Sequence, residues 1–387
     1  LSVDIPVLRQ TKSGEPEADI AVAALKHPRA AEIPGLTGIR GNLALWVVIY
    51  HFWPDVPAFF HACDLFSPVI AKGDFPLTTF YLFSGIVLAH NYRQIGRSPT
   101  RAVVIRFLYK RLARIYPVHF VSLMAVLAMV LVSRSRGWSI EGSGYTSWDF
   151  VLNLFLVHTW VPHFSLNWNY PSWSISSEWF AYLFFCPLMI LCHRLPSRIV
   201  GAVFALSIIG TLAIYYSPKE TPYRELLCVV PTFAWGAIFV YAWNGKAEAD
   251  NGGMIATAAH RFAIVPVLLV IATCYVPSPY YTACLLLSLG MLLQSLYLAG
   301  ARPSRLFDWT PVKYLGEVSY SLYMTHTLAQ KVLYQLLPTG QHVESVLPVR
   351  LLLLISYIVA IGAATVIMYY LIERPALKFM RPTLSRS

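Results

Sequence analysis

The sequence predicts an all-α polytopic membrane protein: about ten transmembrane helices around a polar cavity, plus one short re-entrant or interfacial helix. Three observations predict it. Of 387 residues, 57% are hydrophobic and only 13% charged, against about 25% charged in a soluble domain, and mean hydropathy is +0.55. The apolar residues come in runs that approach the ~20 needed to cross a bilayer. Lys and Arg gather between those runs, where they act as topological signals. The net charge of +11 would suggest nucleic acid for a soluble chain. Here no nucleic-acid partner is expected, and membrane lipids are.

In chain order, residues 1–34 are polar, with Pro, Glu and Lys, and read as a disordered cytoplasmic tail. A membrane domain is expected over 35–376, with a cytoplasmic tail at 377–387. Spans are expected near 39–56, 75–92, 115–133, 173–193, 199–216, 225–243, 262–277, 281–299, 313–335 and 349–371. Residues 149–161 are apolar but short, hence the re-entrant or interfacial reading. With the N-terminus inside, the inner segments carry 23 Lys and Arg and the outer ones six. That imbalance orients the chain with both termini cytoplasmic and makes 93–114 the most basic inner loop. The six Cys form no CxxC pair and read as small hydrophobes.

Arg40 and His51 open and close an otherwise uncharged apolar run. Eleven helical steps bring them onto one face, about 16 Å apart along the axis. The imidazole then lies deep in the outer half of the membrane. It is either a buried His bonded to a neighbouring helix or a functional group, the default for an ionisable side chain at that depth. Lys110, Arg111 and Arg114 begin the third span, and the i, i+3 pair of arginines shares a face. They fit a phosphate-bearing ligand, or else simple topology and anionic headgroups. Ser84 and Gly85 are small residues in an aromatic second span, where Gly85 suits close helix packing.

In the fourth span, Glu178 follows Trp173 in a segment rich in Trp and hydroxyls. On the same side of the membrane as His51, it is either a carboxylate orienting that imidazole or a solvated interfacial residue. In the ninth span, Tyr320, Tyr323 and His326 recur at i, i+3 and i+6, which adds a second deep His. Glu373 and Arg374 suggest a local ion pair at the end of the last span. No HExxH, Cys/His cluster, Walker A or GxGxxG pattern occurs, so no metal is expected.

These residues together resemble the membrane-bound acyltransferase-3 family. Arg40 and His51 match its R-x10-H, and Phe80 to Gly85 its FFxxSG-type motif, with Tyr81 where Phe is usual. Arg111, Arg114 and Pro117 match its RxxR followed by Pro. Trp173, Ser174 and Glu178 match W-S-x-x-x-E, and Tyr320 to His326 match Y-S-x-Y-x-x-H. The resemblance covers about residues 35–376. It implies transfer of an acyl group, usually from cytoplasmic acetyl-CoA, to a hydroxyl of a cell-surface or lipid-linked saccharide in a bacterial inner membrane. On that basis His51 is expected to be catalytic and Arg111 and Arg114 donor-binding, while the residues' own placement suggests Glu178 or His326 to orient the imidazole. Arg40 and Lys110 are expected with those two arginines at the donor, and Ser84, Trp173, Tyr320 and Tyr323 at the substrate. The rivals are a transporter or flippase of a lipid-linked glycan, and an acyltransferase acting on a macrolide-like metabolite.

Overall fold

A computed structural model describes residues 33–52, 65–137, 145–162, 164–247, 253–277, 280–300, 307–336 and 347–383. The tail expected at 1–34 and Cys63 lie almost wholly or entirely outside them. The described residues are mostly helical, without strands, and besides the longer helices they include a short helical turn at Ser67–Ile70. The helices are α1 (Pro34–Phe52), α2 (Phe75–Tyr92), α3 (Arg101–Ser135), α4 (Ser147–Leu154), α5 (Ser172–Arg194), α6 (Ser197–Tyr215) and α7 (Arg224–Ala247). They continue with α8 (Met254–Arg261), α9 (Ile264–Cys274), α10 (Tyr281–Ala299), α11 (Thr310–Leu336), α12 (Leu347–Met368) and α13 (Arg374–Thr383).

Among the described residues, six helices are long and apolar enough to cross a membrane: α3, α5, α6, most of α7, α10, and the run Leu351–Phe379. The expected ten are therefore not reached. The run expected at 262–277 yields only α9, eleven residues, about 16 Å of helix where ~30 Å is needed. Helices α1, α2 and α11, which carry Arg40, His51, Ser84, Tyr320, Tyr323 and His326, are not among the six. The inner loop expected at 93–114 is instead largely helix. Thr100 caps α3 by accepting from the Val103 N–H, so Lys110, Arg111 and Arg114 sit on a regular helical face. Residues 149–161 form the eight-residue α4, about 12 Å long, and a 3-10 turn, His158–Trp160. Buried hydrogen bonds from His119 to the Asn153 carbonyl (2.8 Å) and from Ser172 to Asn153 Oδ1 (3.0 Å) hold that segment against α3 and α5.

Two close helix crossings position the site. Helices α2 and α7 meet at Gly85 and Gly236, each facing the other helix's backbone. Helices α1 and α11 meet at Gly41 and Gly316. A Cβ on Gly41 would lie 2.6 Å from the Gly316 nitrogen. Only residues without a side chain allow such contact. The second crossing carries Arg40 and His51 on one helix, and Tyr320, Tyr323 and His326 on the other. Four described Cys are buried and Cys284 is exposed, all as free thiols.

Candidate active site

The crossing of α1 and α11 opens into two small chambers on either side of a shared wall, labelled inner and outer after the orientation expected from the charge count. The inner chamber, about 160 Å³, is lined by Arg40, Ser84, Arg111, Arg114, Glu178 and Tyr320, among others. The outer chamber, about 110 Å³, is lined by His51, His326, Tyr50, Asp74, Tyr170 and Trp173. Leu77 and Tyr323 line both. The Tyr323 hydroxyl is fixed in that wall, 3.0 Å from the Pro171 carbonyl and 2.7 Å from Ser174 Oγ.

Each arginine of the inner chamber is held in place by a neighbouring group. Arg40 donates through Nε to the Gly316 carbonyl at 3.0 Å, a contact that exists because the glycine crossing brings the two backbones together. Arg111 donates to the Tyr92 hydroxyl at 3.0 Å, with its guanidinium over the Tyr92 ring. Arg114 Nη2 lies 3.7 Å from Glu373 Oε1. Glu373 is 2% exposed and accepts from Ser321 at 2.6 Å. A π-helical segment, Tyr369–Glu373, directs it inward. The expected Glu373–Arg374 pair is therefore replaced by Glu373–Arg114, and the Arg374 guanidinium lies over Tyr370. Three guanidiniums against the carboxylates of Glu178 and Glu373 leave the region with a positive excess suited to an anion. Lys110 lines neither chamber.

Glu178 also departs from expectation. It accepts hydrogen bonds from Ser84 and from Tyr182 (2.7 Å) and lines the inner chamber, not the outer one with His51. A shared depth in the membrane does not mean a shared face. Asp74, one residue before α2, is the carboxylate that lines the outer chamber.

In the outer chamber the two imidazoles lie 5.1 Å apart between ring centroids, with Tyr170 edge-on to His51 at 5.5 Å. Both rings are tethered the same way. His51 Nδ1 is 2.8 Å from the Val47 carbonyl and His326 Nδ1 is 2.6 Å from the Tyr323 carbonyl. A carbonyl only accepts, so each Nδ1 carries the proton. In the neutral ring this leaves Nε2 with a free lone pair. Nε2 of His326 is buried with no hydrogen-bond partner among the described residues. Gln330 donates to the His51 carbonyl at 3.3 Å, tying the end of α1 to α11.

Of the residues singled out in the sequence, the structure brings Arg40, Arg111, Arg114, Ser84, Glu178 and Tyr320 to the inner chamber. It brings His51, His326 and Trp173 to the outer one, with Tyr323 between. Residues 33–373 match the acyltransferase domain family, Acyl_transf_3. The chain belongs to the acyltransferase-3 family. Its enzymatic class follows: it is an acyltransferase, and a pure transporter reading falls away. Acyltransferase MdmB of Streptomyces mycarofaciens is 27% identical over 335 residues, covering 77% of this chain and 79% of that protein. Putative acetyltransferase ORF330 of Acidianus two-tailed virus is 24% identical over 314 residues, covering 78% and 84%. No solved structure matches the chain.

Proposed function

We propose that this acyltransferase moves an acetyl group from cytoplasmic acetyl-CoA to a hydroxyl of a cell-surface or lipid-linked saccharide. It would do so in a bacterial inner membrane, with both termini cytoplasmic. The observation that carries the reading is the pair of chambers divided by Tyr323 and Leu77. One is rich in guanidinium groups and the other holds the two imidazoles.

The donor's phosphates bind at the Arg111 and Arg114 side, where charge-assisted hydrogen bonds to phosphate are strongest. Its extended arm reaches along α1, about 16 Å from Arg40 to His51, and brings the thioester to the dividing wall. The acceptor hydroxyl enters the outer chamber against Trp173 and Tyr170. His51 Nε2 takes the hydroxyl proton as the oxygen attacks the thioester carbonyl carbon. The C–S bond breaks, the thiolate leaves with CoA, and the imidazolium returns its proton to that sulfur. His326, with its own Nε2 free, orients or relays. General-base help of this kind is worth about 10²–10⁴ in rate.

The test is acyl-dependent CoA release in native membranes with His51→Ala. The variant is expected to insert normally and to lose about 10²–10⁴-fold in rate. Near-normal acylation by His51→Ala would sink the mechanism. Mass spectrometry of host glycans with and without the protein identifies the acceptor, and a modified small metabolite in place of a glycan would overturn the saccharide assignment.

A further inference from the structure

A third cavity, about 860 Å³, lies away from both chambers. It is formed by the turn after α2, the end of α5, the start of α6 and the end of α7. Arg93, Arg97, His193 and Arg198 line it, and among the described residues no carboxylate does. Among the described residues these three guanidiniums make no ion pair and no side-chain hydrogen bond. The first turn of α6, with Ser197 and Arg198, adds the positive end of a nineteen-residue helix.

Beyond the mouth the wall becomes apolar, with Phe204, Ile238 and Phe239. From Ser197 to Phe204 it descends about 10 Å along α6. Gly201 faces it, and a Cβ placed there would meet nothing within 4 Å. Of the six candidate spans α6 is the barest, with 17% of its apolar window buried, so the groove lies beside the helix face given to lipid.

We propose that this groove binds an anionic phospholipid, with its phosphate among Arg93, Arg97 and Arg198 and an acyl chain along Phe204, Ile238 and Phe239. The charge complements an anion, and the apolar descent fits a molecule with a tail. A nucleotide or free phosphate would fill only the mouth. The cations belong to the inner set by the positive-inside count, so the lipid is one of the cytoplasmic leaflet.

The experiment uses the full chain in nanodiscs of phosphatidylglycerol and phosphatidylcholine, stripped gradually and read by native mass spectrometry. The protein is expected to retain one phosphatidylglycerol after phosphatidylcholine is lost. Arg93→Gln, Arg97→Gln and Arg198→Gln combined should weaken retention on the order of 100-fold, from roughly fivefold per cation. Gly201→Leu, which fills the groove and leaves the charges, should also release the lipid. Arg97 and Arg198 are exposed, so glutamine there leaves the packing alone, and the comparison of the two lipids needs no variant at all. Equal retention of both lipids overturns the proposal, as does undiminished retention by the triple variant. Expulsion of the lipid by adenosine 3′,5′-bisphosphate would also overturn it, by assigning the groove to a nucleotide.

Discussion

Replacing Gly41 by Ala tests whether the glycine crossing sets the spacing of the two imidazoles. The new Cβ would lie 2.6 Å from the Gly316 nitrogen and 2.8 Å from the Leu315 carbonyl carbon, where ordinary contact begins at 3.4 Å. Both obstacles are backbone, so no side chain can swing aside. The helices must part by about 0.8 Å, the difference between 3.4 and 2.6 Å. That movement stretches the Arg40–Gly316 hydrogen bond and widens the 5.1 Å gap between His51 and His326. Overpacking of this kind costs about 1–3 kcal/mol, and a misplacement near 1 Å can cost on the order of 10²-fold in rate. Gly41→Ala is thus expected to lower the melting temperature in detergent and to slow acyl-dependent CoA release by roughly 10–100-fold. Gly362→Ala is the control: a Cβ there meets nothing within 4 Å, and it should hold or raise stability through helix propensity. Wild-type rate and melting in Gly41→Ala would refute the reasoning.

Tyr323→Ala opens the wall between the chambers and is expected to release CoA without acceptor; unchanged donor hydrolysis in a correctly folded variant would count against a partition. Tyr323→Phe keeps the ring and loses only the bonds to Ser174 and Pro171, so coupling should survive with a stability loss of about 1–2 kcal/mol, read by thermal melting. Asp74→Asn is expected to change the kinetics of the acceptor and Glu178→Gln those of the donor, because the two carboxylates line different chambers; steady-state titration of each substrate checks this, and identical effects would contradict the placement.

Much of the site was legible because helical periodicity is a strong rule. Arg40 and His51 share a face at eleven residues, and the i, i+3, i+6 spacing of Tyr320, Tyr323 and His326 leads from one chamber through the wall to the other. Glu178 was misread because depth along a helix is readable from sequence while azimuth against unknown neighbours is not. Asp74 escaped notice because it lies in a turn, where no period applies. The partner of Glu373 was hidden by a π segment, which shifts the register that a 3.6-residue rule assumes. The length of α9 was misjudged for a related reason, since apolarity over 262–277 does not reveal the turn at Phe262 and Ala263. Length and apolarity confirm six spans among the described residues and not the count of ten, and the central α1, α2 and α11 gain their place from close packing and polar contacts.

The wide turn at Tyr369–Glu373 has a mechanical consequence. The helix from Leu347 to Thr383 is one continuous rod broken only by that turn, so the angular phase of its far end is set there. A π segment can slip one residue along a helix by exchanging i→i+5 for i→i+4 bonds, without unwinding. Each slip turns one residue by about 100° relative to its neighbours. A slip at this turn would move Glu373 relative to Arg114 by rotation about the helix axis, without a lateral swing of α12. Inserting one Ala between Ile372 and Glu373 would turn Glu373 by about 100° about the helix axis and carry it away from Arg114 while leaving both residues in the chain. Transfer should fall as it does for Glu373→Ala, and a fully active insertion variant would show that the phase of this rod is irrelevant to the donor chamber.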